Sequence, residues 1–572
     1  MTPSLAARST AFALVTSVVM LASAPSLAQT PSPSQSRPAQ ALENQVPPGG
    51  FRFPAARGQG APEGADAIRF ALRDLQVDGG LAQLEARTQA LKPALGAEVS
   101  VADVYGYAAA LQAAYFEAGY PLVRVVVPAQ DLERDTGIVR VLVVSGFVER
   151  IDLQGLPDAV RARVEAVLTP LVDREPLLAS EFERRLLLAG DASGLALQSA
   201  LSPGTLTGGT VLVVAGEHRP FQMAVTIDNS LSEEVGREQL TGSLALNSLL
   251  GLGERILLTA AISPDDPSWS DDTLRRYASL HAQVPLGNRG LSVGGELAFS
   301  ASAPRGASAP LALQNEFNRV GVFVNLATLR SRHRSQDIRL TLEAASEGQT
   351  TGILGPAVDL FADRTRVARI AIDGFEALDR GGRVDYELEV SQGLDGLGAR
   401  SVDEATPLRP LSRFGADAKF TRLQGSLGVF APLGDASSAR VLLRGQTGFG
   451  NPLLRSEQGA IASADLISGP PTGSLLGDDM LAARLDVSRA LPAGRTTILP
   501  YVFGAAGRTW LQSPLPGELG RADTRQLGAG LRFEAATTGR ASMFGRLEWS
   551  HVESDQAFAD RDWISASLTW RY

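Results

Sequence analysis

From about Phe221 to Tyr572 the chain runs as short segments in which apolar and polar residues alternate, joined by connections that are short and long in turn. In the last of them Ile564, Ala566, Leu568, Trp570 and Tyr572 share one face, while Ser565, Ser567, Thr569 and Arg571 share the other. Sixteen such strands are predicted, at 221–231, 237–247, 253–263, 273–285, 290–300, 318–331, 335–347, 364–375, 382–393, 416–431, 439–449, 480–489, 496–507, 525–537, 541–553 and 562–572. In hydrocarbon every backbone group must be paired, and a sheet achieves that only by closing on itself. The predicted fold is therefore a membrane β-barrel of 16 antiparallel strands. Tight connections such as Pro285-Leu286-Gly287-Asn288, Asp379-Arg380-Gly381-Gly382 and Pro492-Ala493-Gly494 follow even-numbered strands, and long ones (264–272, 301–317, 394–415, 450–479) follow odd-numbered ones. Short turns belong on the periplasmic side and long loops on the cell surface, which puts both barrel ends in the periplasm.

The start of the chain points to export. Arg8, the apolar run Ala11 to Ala24, and Ser26-Leu27-Ala28 form a signal-peptide pattern over residues 1–28. No other stretch approaches the roughly 20 apolar residues of a membrane helix. The chain has no cysteine, which excludes disulfides, thiol catalysis and thiolate metal sites. A net charge of −9 argues against nucleic acid as a partner. The four histidines, His218, His281, His333 and His551, are scattered, so neither catalysis nor a cofactor is expected. Asp265, Asp266, Asp271 and Asp272 crowd one long loop and read as a solvated segment, because a hard cation needs ligands in fixed geometry.

Residues 29–66, rich in Pro, Ser and Gln, read as a weakly ordered linker. Within it Ala39–Gln45 is the only stretch with helical composition, too little chain for both a linker and a plug in the lumen. Two α/β units of βααββ order follow. In the first, a strand is expected over Ala67–Val77, a helix over Leu81–Leu91, and a second helix from Ser100, capped by Asp103 and lined by Val104, Ala108, Leu111 and Tyr115. Strands Leu122–Val127 and Ile138–Ser145 end it. The second unit repeats the order with Val148–Leu153, Asp158–Leu168, a helix over Ser180–Leu188 capped by Ser180 and Glu183, and strands Leu195–Leu201 and Thr210–Ala215.

Particular phrases mark these units. The first carries Tyr115-Phe116-Glu117-Ala118-Gly119-Tyr120, Val127-Pro128-Ala129-Gln130 and Gly137-Ile138-Val139-Arg140-Val141. The second carries Glu183-Arg184-Arg185-Leu186-Leu187-Leu188, Leu201-Ser202-Pro203-Gly204 and Gly208-Gly209-Thr210-Val211-Leu212-Val213-Val214. They resemble the two POTRA domains of two-partner-secretion transporters, the haemolysin secretion/activation (TpsB; ShlB/FhaC/HecB-type) family. The resemblance implies POTRA 1 at 67–146, POTRA 2 at 147–217 and the barrel at 218–572, in the outer membrane with the POTRA domains in the periplasm. It further implies a pore that secretes, and in some members activates, one partner: a large β-helical exoprotein, adhesin or haemolysin-like. Outer-membrane lipids and, during biogenesis, the barrel-assembly machinery are the other expected partners.

A groove between a strand edge and a helix can take an extended peptide as an added strand. In POTRA 1 the expected cargo-binding residues are Tyr105, Leu111, Tyr115, Leu122, Val123, Arg124, Val125, Pro128 and Gln130. The family also folds its sixth surface loop, here 450–479, into the lumen. Many members hold it by an Arg-Gly-aromatic tip paired with the aspartate of Phe-x-Asp-x-Gly on strand thirteen. This chain lacks both partners: the loop has Pro470-Pro471-Thr472-Gly473-Ser474-Leu475, and the strand reads Phe503-Gly504-Ala505-Ala506-Gly507. The loop is thus expected to be held otherwise, with Arg484 and Asp486 as anchors. Gly473, Ser474, Leu475, Gly477 and Asp478 are the expected gating residues on the loop, and Phe503, Ala505 and Gly507 those on the wall. Three rival readings are weaker. A barrel insertase usually carries more POTRA units, a barrel enzyme needs a nucleophile beside a base, and a passive porin leaves the POTRA domains idle.

Overall fold

The computed structural model describes residues 34, 35, 38, 42, 53, 58–130, 137–270, 272–353, 355–536 and 541–572. The expected signal peptide, most of the linker and Asp271 lie outside the described residues. In the first α/β unit, strands Asp74–Asp78, Ile138–Val144 and Arg124–Val126 form a sheet in that order, parallel then antiparallel. Helix α2 (Val101–Glu117) packs on it, and α1 (Glu85–Leu91) packs against α2, where the Tyr107 hydroxyl donates to Thr88 O at 3.3 Å. Ser100 and Asp103 form the capping box: Asp103 N donates to Ser100 Oγ at 3.1 Å and Ser100 N to Asp103 Oδ2 at 2.8 Å. The second bond holds the Asp103 carboxyl below its usual range. Val104, Ala108, Leu111 and Tyr115 are buried along one stripe of α2.

The single strand expected over 67–77 is broken. Arg69–Ala71 pairs with Glu98–Ser100, whereas Asp74–Asp78 pairs with Ile138–Val144. Between them Leu72 is fully buried and Arg73 N donates to Gly137 O at 2.8 Å, so the chain changes sheets instead of continuing one ladder.

The second unit has strands Phe147–Gly155, Gly209–His218 and Leu195–Pro203 in that order. Helices α3 (Asp158–Leu168) and α4 (Ala179–Gly190) close its core through Val160, Val164, Val167 and Phe182. The expected cap of α4 does not form. Leu178 is the N-cap, without a side-chain bond, and Glu183 turns away to accept from Arg332 Nε at 2.7 Å and Arg332 N at 3.1 Å. A charge-assisted bond outweighs a neutral cap.

The barrel comprises β1 (Phe221–Asp228), β2 (Gln239–Asn247), β3 (Arg255–Ile262), β4 (Arg276–Leu286), β5 (Leu291–Ser302), β6 (Leu313–Arg330), β7 (Arg334–Thr351) and β8 (Val358–Ala377). It continues through β9 (Arg383–Gly393), β10 (Thr421–Pro432), β11 (Ser437–Thr447), β12 (Asp479–Arg489, prolonged by Leu491–Ala493), β13 (Thr496–Trp510), β14 (Arg521–Ala536), β15 (Ser542–Ser554) and β16 (Arg561–Arg571). Neighbours pair antiparallel and β16 returns to β1, closing the sheet. Strands β6 to β8 outrun their expected limits because the ladder persists through polar residues beyond the apolar band, as at Gln314 opposite Thr350. On β6, Val320, Val322, Val324 and Leu326 face outward, the apolar face a bilayer requires.

The seam is short, from Ser567 opposite Asp228 to Arg571 opposite Ala224, with apolar and polar pairs alternating along it. The Thr226 and Thr569 hydroxyls meet at 2.8 Å. Above them the Asn229 side chain stands in for a peptide group: its Nδ2 donates to Ile564 O at 2.9 Å and its Oδ1 accepts from Ala566 N at 2.8 Å.

POTRA-like unit two is bolted to the barrel's periplasmic turns. Arg184 donates to Thr328 O (3.1 Å) and Ala327 O (2.8 Å), Arg185 to Asn288 O (2.8 Å), and Arg163 to Gly287 O. Arg330 joins Asp191 at 3.1 Å and Asp337 at 2.7 Å.

Candidate functional site

The longest barrel connection with a buried course, residues 448–478 between β11 and β12, is folded back into the lumen and tied to two separate sectors of the wall. The first tether grows out of one row of inward-facing charges that alternates in sign across β5 to β10: Glu296, Arg319, Glu343, Arg369, Glu389 and Arg422. Arg319 bridges Glu296 (2.9 Å) and Glu343 (3.6 Å), Arg369 reaches Glu343 (3.0 Å) and Glu389 (3.6 Å), and Arg422 reaches Glu389 (2.7 Å). Glu457 of the loop caps this ladder, 2.8 Å from Arg369 and 2.9 Å from Arg422, with 2% exposure. Gln446 Nε2 donates to Glu457 O at 3.0 Å.

The second tether is at Ser468. Its N–H donates to Gln526 Oε1 at 3.1 Å, its carbonyl accepts from Gln526 Nε2, and its Oγ accepts from Arg484 Nη1 at 3.1 Å. Arg546 Nη1 donates to Ala464 O at 2.6 Å. Between the tethers Ile461, Leu466, Ile467 and Leu475 pack on Ala482, Ala505, Val552 and Trp563, filling that side of the lumen.

The expected anchors lie here. Arg484 on β12 stands 2.8 Å from both Asp486 and Glu548, and Asp486 also accepts from Arg532 at 3.0 Å. Asp486 does not touch the loop in any bond the structure contains among the described residues; it orients Arg484, which does. The Arg484 guanidinium lies 3.8 Å from the Phe503 ring centroid, a cation–π contact. A Cβ on Gly507 would sit 2.9 Å from Ile461 Cδ1, so that glycine and Ala505 form the floor under the loop. Asp478 is fully buried and accepts from Leu453 N (2.9 Å), Gln458 Nε2 (3.0 Å) and Gln512 N (2.7 Å), pinning the loop's exit. Gly477 pairs with Gly459 in a short ribbon, Leu475 is buried with φ 56°, and Ser474 is buried beside it. Gly473, at φ 81°, abuts Gln35.

That contact corrects the reading of 29–66 as a tether alone. Ser34 Oγ donates to Glu347 at 3.1 Å, and Gln35 Nε2 donates to Arg455 O (2.8 Å) and Gln458 O (3.0 Å), so both side chains stand in the lumen against the loop. Leu42 packs on Ala224, Ala245 and Leu257 of the inner wall, and its carbonyl accepts from Arg255. Phe53 packs 5.0 Å from Phe182 of the second unit. Of the stretch Ala39–Gln45, only Leu42 lies within the described residues.

The POTRA 1 candidates divide. Leu111, Tyr115, Val123 and Val125 are core side chains of that unit, and Leu122 belongs to the core of the second, so none presents a side chain to a ligand. Tyr105, Arg124, Pro128 and Gln130 remain accessible to varying degrees. Gln130 pairs both amide atoms with the main chain of Arg140 at 2.9 Å, continuing the sheet where the edge strand stops. A strand-and-helix motif buries alternate residues, and at this edge the apolar ones face inward.

Sequence reasoning missed Glu457, Arg369, Arg422 and Gln526. The alternating signs at lumen parity on β5 to β10 were the available signal for Arg369 and Arg422. Nothing local marks Gln526.

A family model described as "Haemolysin secretion/activation protein ShlB/FhaC/HecB" matches residues 208–533, and "POTRA domain, ShlB-type" matches 70–146. The heme/hemopexin transporter protein HuxB of Haemophilus influenzae is 28% identical over 170 residues, 29% of this chain and 30% of its own. The hemolysin transporter protein HpmB of Proteus mirabilis is 24% identical over 217 residues, 38% of this chain and 37% of its own. The alignments thus span about a third of these relatives. The solved structure of CdiB from Escherichia coli matches with a TM-score of 0.69 at 16% identity, covering 100% of both chains, and that of CdiB from Acinetobacter baumannii with 0.60 at 14%, covering 98% of both. A closed barrel behind paired α/β units, together with a family match over more than half of the sequence, identifies this chain as a member of the haemolysin secretion/activation family of outer-membrane transporters.

Proposed function

We propose that the chain secretes one unfolded partner protein through its barrel, with POTRA 1 as the receptor and the loop 448–478 as the gate. The observation that carries this reading is the nature of the lumen filling. It is held by ion pairs and side-chain amides from the wall (Glu457 at 2.8 Å from Arg369, Ser468 at 3.1 Å from Arg484), contacts that water and a passing chain can replace. Between these polar tethers a small apolar cluster around Ile461, Leu466, Ile467 and Leu475 adds to the hold. The energy comes from the cargo: a disordered chain that folds outside cannot slide back. The names of HuxB and HpmB favour a haemolysin-like or haem-acquisition exoprotein as cargo.

Deleting the chain and following surface and medium proteins tests the reading. Loss of one large exoprotein is expected. Depletion of many unrelated barrels would make the chain an insertase instead.

A further inference from the structure

We propose that Gly58–Gly60 is a built-in occupant of the POTRA 1 groove, which an extended cargo segment must displace to enter. The proposal rests on the export reading and deepens it. Strand Arg124–Val126 ends its sheet, with Ile138–Val144 as its only neighbour there among the described residues. N–H groups two residues apart share one side of a strand. Those of Val125 and Val127 both end on side chains rather than on a neighbouring strand, so that side is the sheet's outer edge. Val125 N donates to Gln112 Oε1 of α2 at 3.0 Å, and Val127 N donates to Gln59 Oε1 at 2.9 Å. Gln59 thus fills a place where a guest strand's carbonyl would bind.

Gly58 fixes the other wall. A Cβ built on it would lie 2.7 Å from Ala109 Cβ and 2.9 Å from Ala109 Cα on α2, closer than atoms approach. The segment therefore lies between helix and strand edge, and only glycine fits opposite Ala109. The same two features define what can replace it: an extended segment with a glycine facing Ala109 and a carbonyl for the Val127 N–H. Tethered in its own chain, Gly58–Gly60 competes at an effective concentration near the millimolar range.

The test uses full-length protein in detergent and a fluorescent peptide copying residues 55–62. Gly58→Val vacates the groove. The peptide is expected to bind this variant at least ~10-fold tighter than wild type, since an intramolecular competitor has been removed, and a peptide with valine at the position of Gly58 should bind neither. Gln59→Ala should speed hydrogen exchange at the Val127 amide without disturbing the fold. Gly58→Ala should behave as Gly58→Val does, because its single methyl already meets Ala109 Cβ and Cα. Equal binding to wild type and Gly58→Val, or none to either, overturns the proposal. Export is scored separately: a variant that discriminates the peptide yet secretes nothing counts against the export reading alone.

Discussion

Glu457→Gln puts the gate to its most direct test. The carboxylate takes three contacts from the wall: Arg369 at 2.8 and 3.1 Å and Arg422 at 2.9 Å. Hydrogen bonds to charged groups contribute about 1.5–3 kcal/mol each. The amide keeps one acceptor oxygen, which in the Oε2 position still meets Arg369 Nη1 and Arg422, so the Arg369 Nη2 contact is the one lost. The arginines are not orphaned, because Arg369 retains Glu343 at 3.0 Å and Arg422 retains Glu389 at 2.7 Å, which places the loss at the low end, about 1.5 kcal/mol. At 1.4 kcal/mol per decade the balance between seated and released loop moves by about 10-fold. Single-channel recordings in planar membranes should show longer and more frequent open events. Limited trypsin digestion should cut within the loop, at Arg455, faster than in wild type. Unchanged dwell times together with unchanged trypsin resistance would refute the claim that this carboxylate holds the loop.

Three further outcomes are expected. Arg484→Ala frees Ser468 Oγ and leaves Glu548 without its 2.8 Å partner, so conductance and protease sensitivity should rise again; no change in either removes Arg484 as an anchor. Ser100→Ala removes the N-cap of α2 and should cost about 1 kcal/mol of POTRA 1 stability, read by chemical denaturation. In POTRA 2, Glu149 accepts from Leu206 N (3.0 Å) and Thr205 N (2.8 Å), which lowers its carboxyl below the ordinary range. A depressed native value stabilises the fold above the ordinary carboxylate range and loses that contribution as pH falls through the native value. The melting difference between wild type and Glu149→Gln should therefore be present at neutral pH and vanish in acid; a difference independent of pH would contradict this.

The barrel was legible because lipid and lumen impose opposite chemistry on alternate residues. Val384, Tyr386, Leu388 and Val390 declare β9 without help from the rest of the chain. The Ser100–Asp103 cap was legible for a similar reason, since its partners are three residues apart. Arg484 was found because it lies at lumen parity on a strand already placed. Glu457 was not, because its partners lie on β8 and β10, and loop residues carry no parity. The edge expected at Leu122–Val127 is there, with Arg124–Val126 as the outer strand of its sheet, but it does not stand open. Apolar residues in a short edge strand face the core, and the backbone edge itself is closed by Gln112 and by Gln59. That second closure comes from a proline-rich stretch that composition marks only as linker.

Because Glu457 grips β8 and β10 while Ser468 grips β12 and β14, the inward loop ties non-adjacent staves of the cask together. Such a tie-bar sets the outline of the opening as well as occupying it. Once let go, the hoop is free to change its roundness, so the bore available to a travelling chain is set by the wall's own shape as well as by the space the loop vacates.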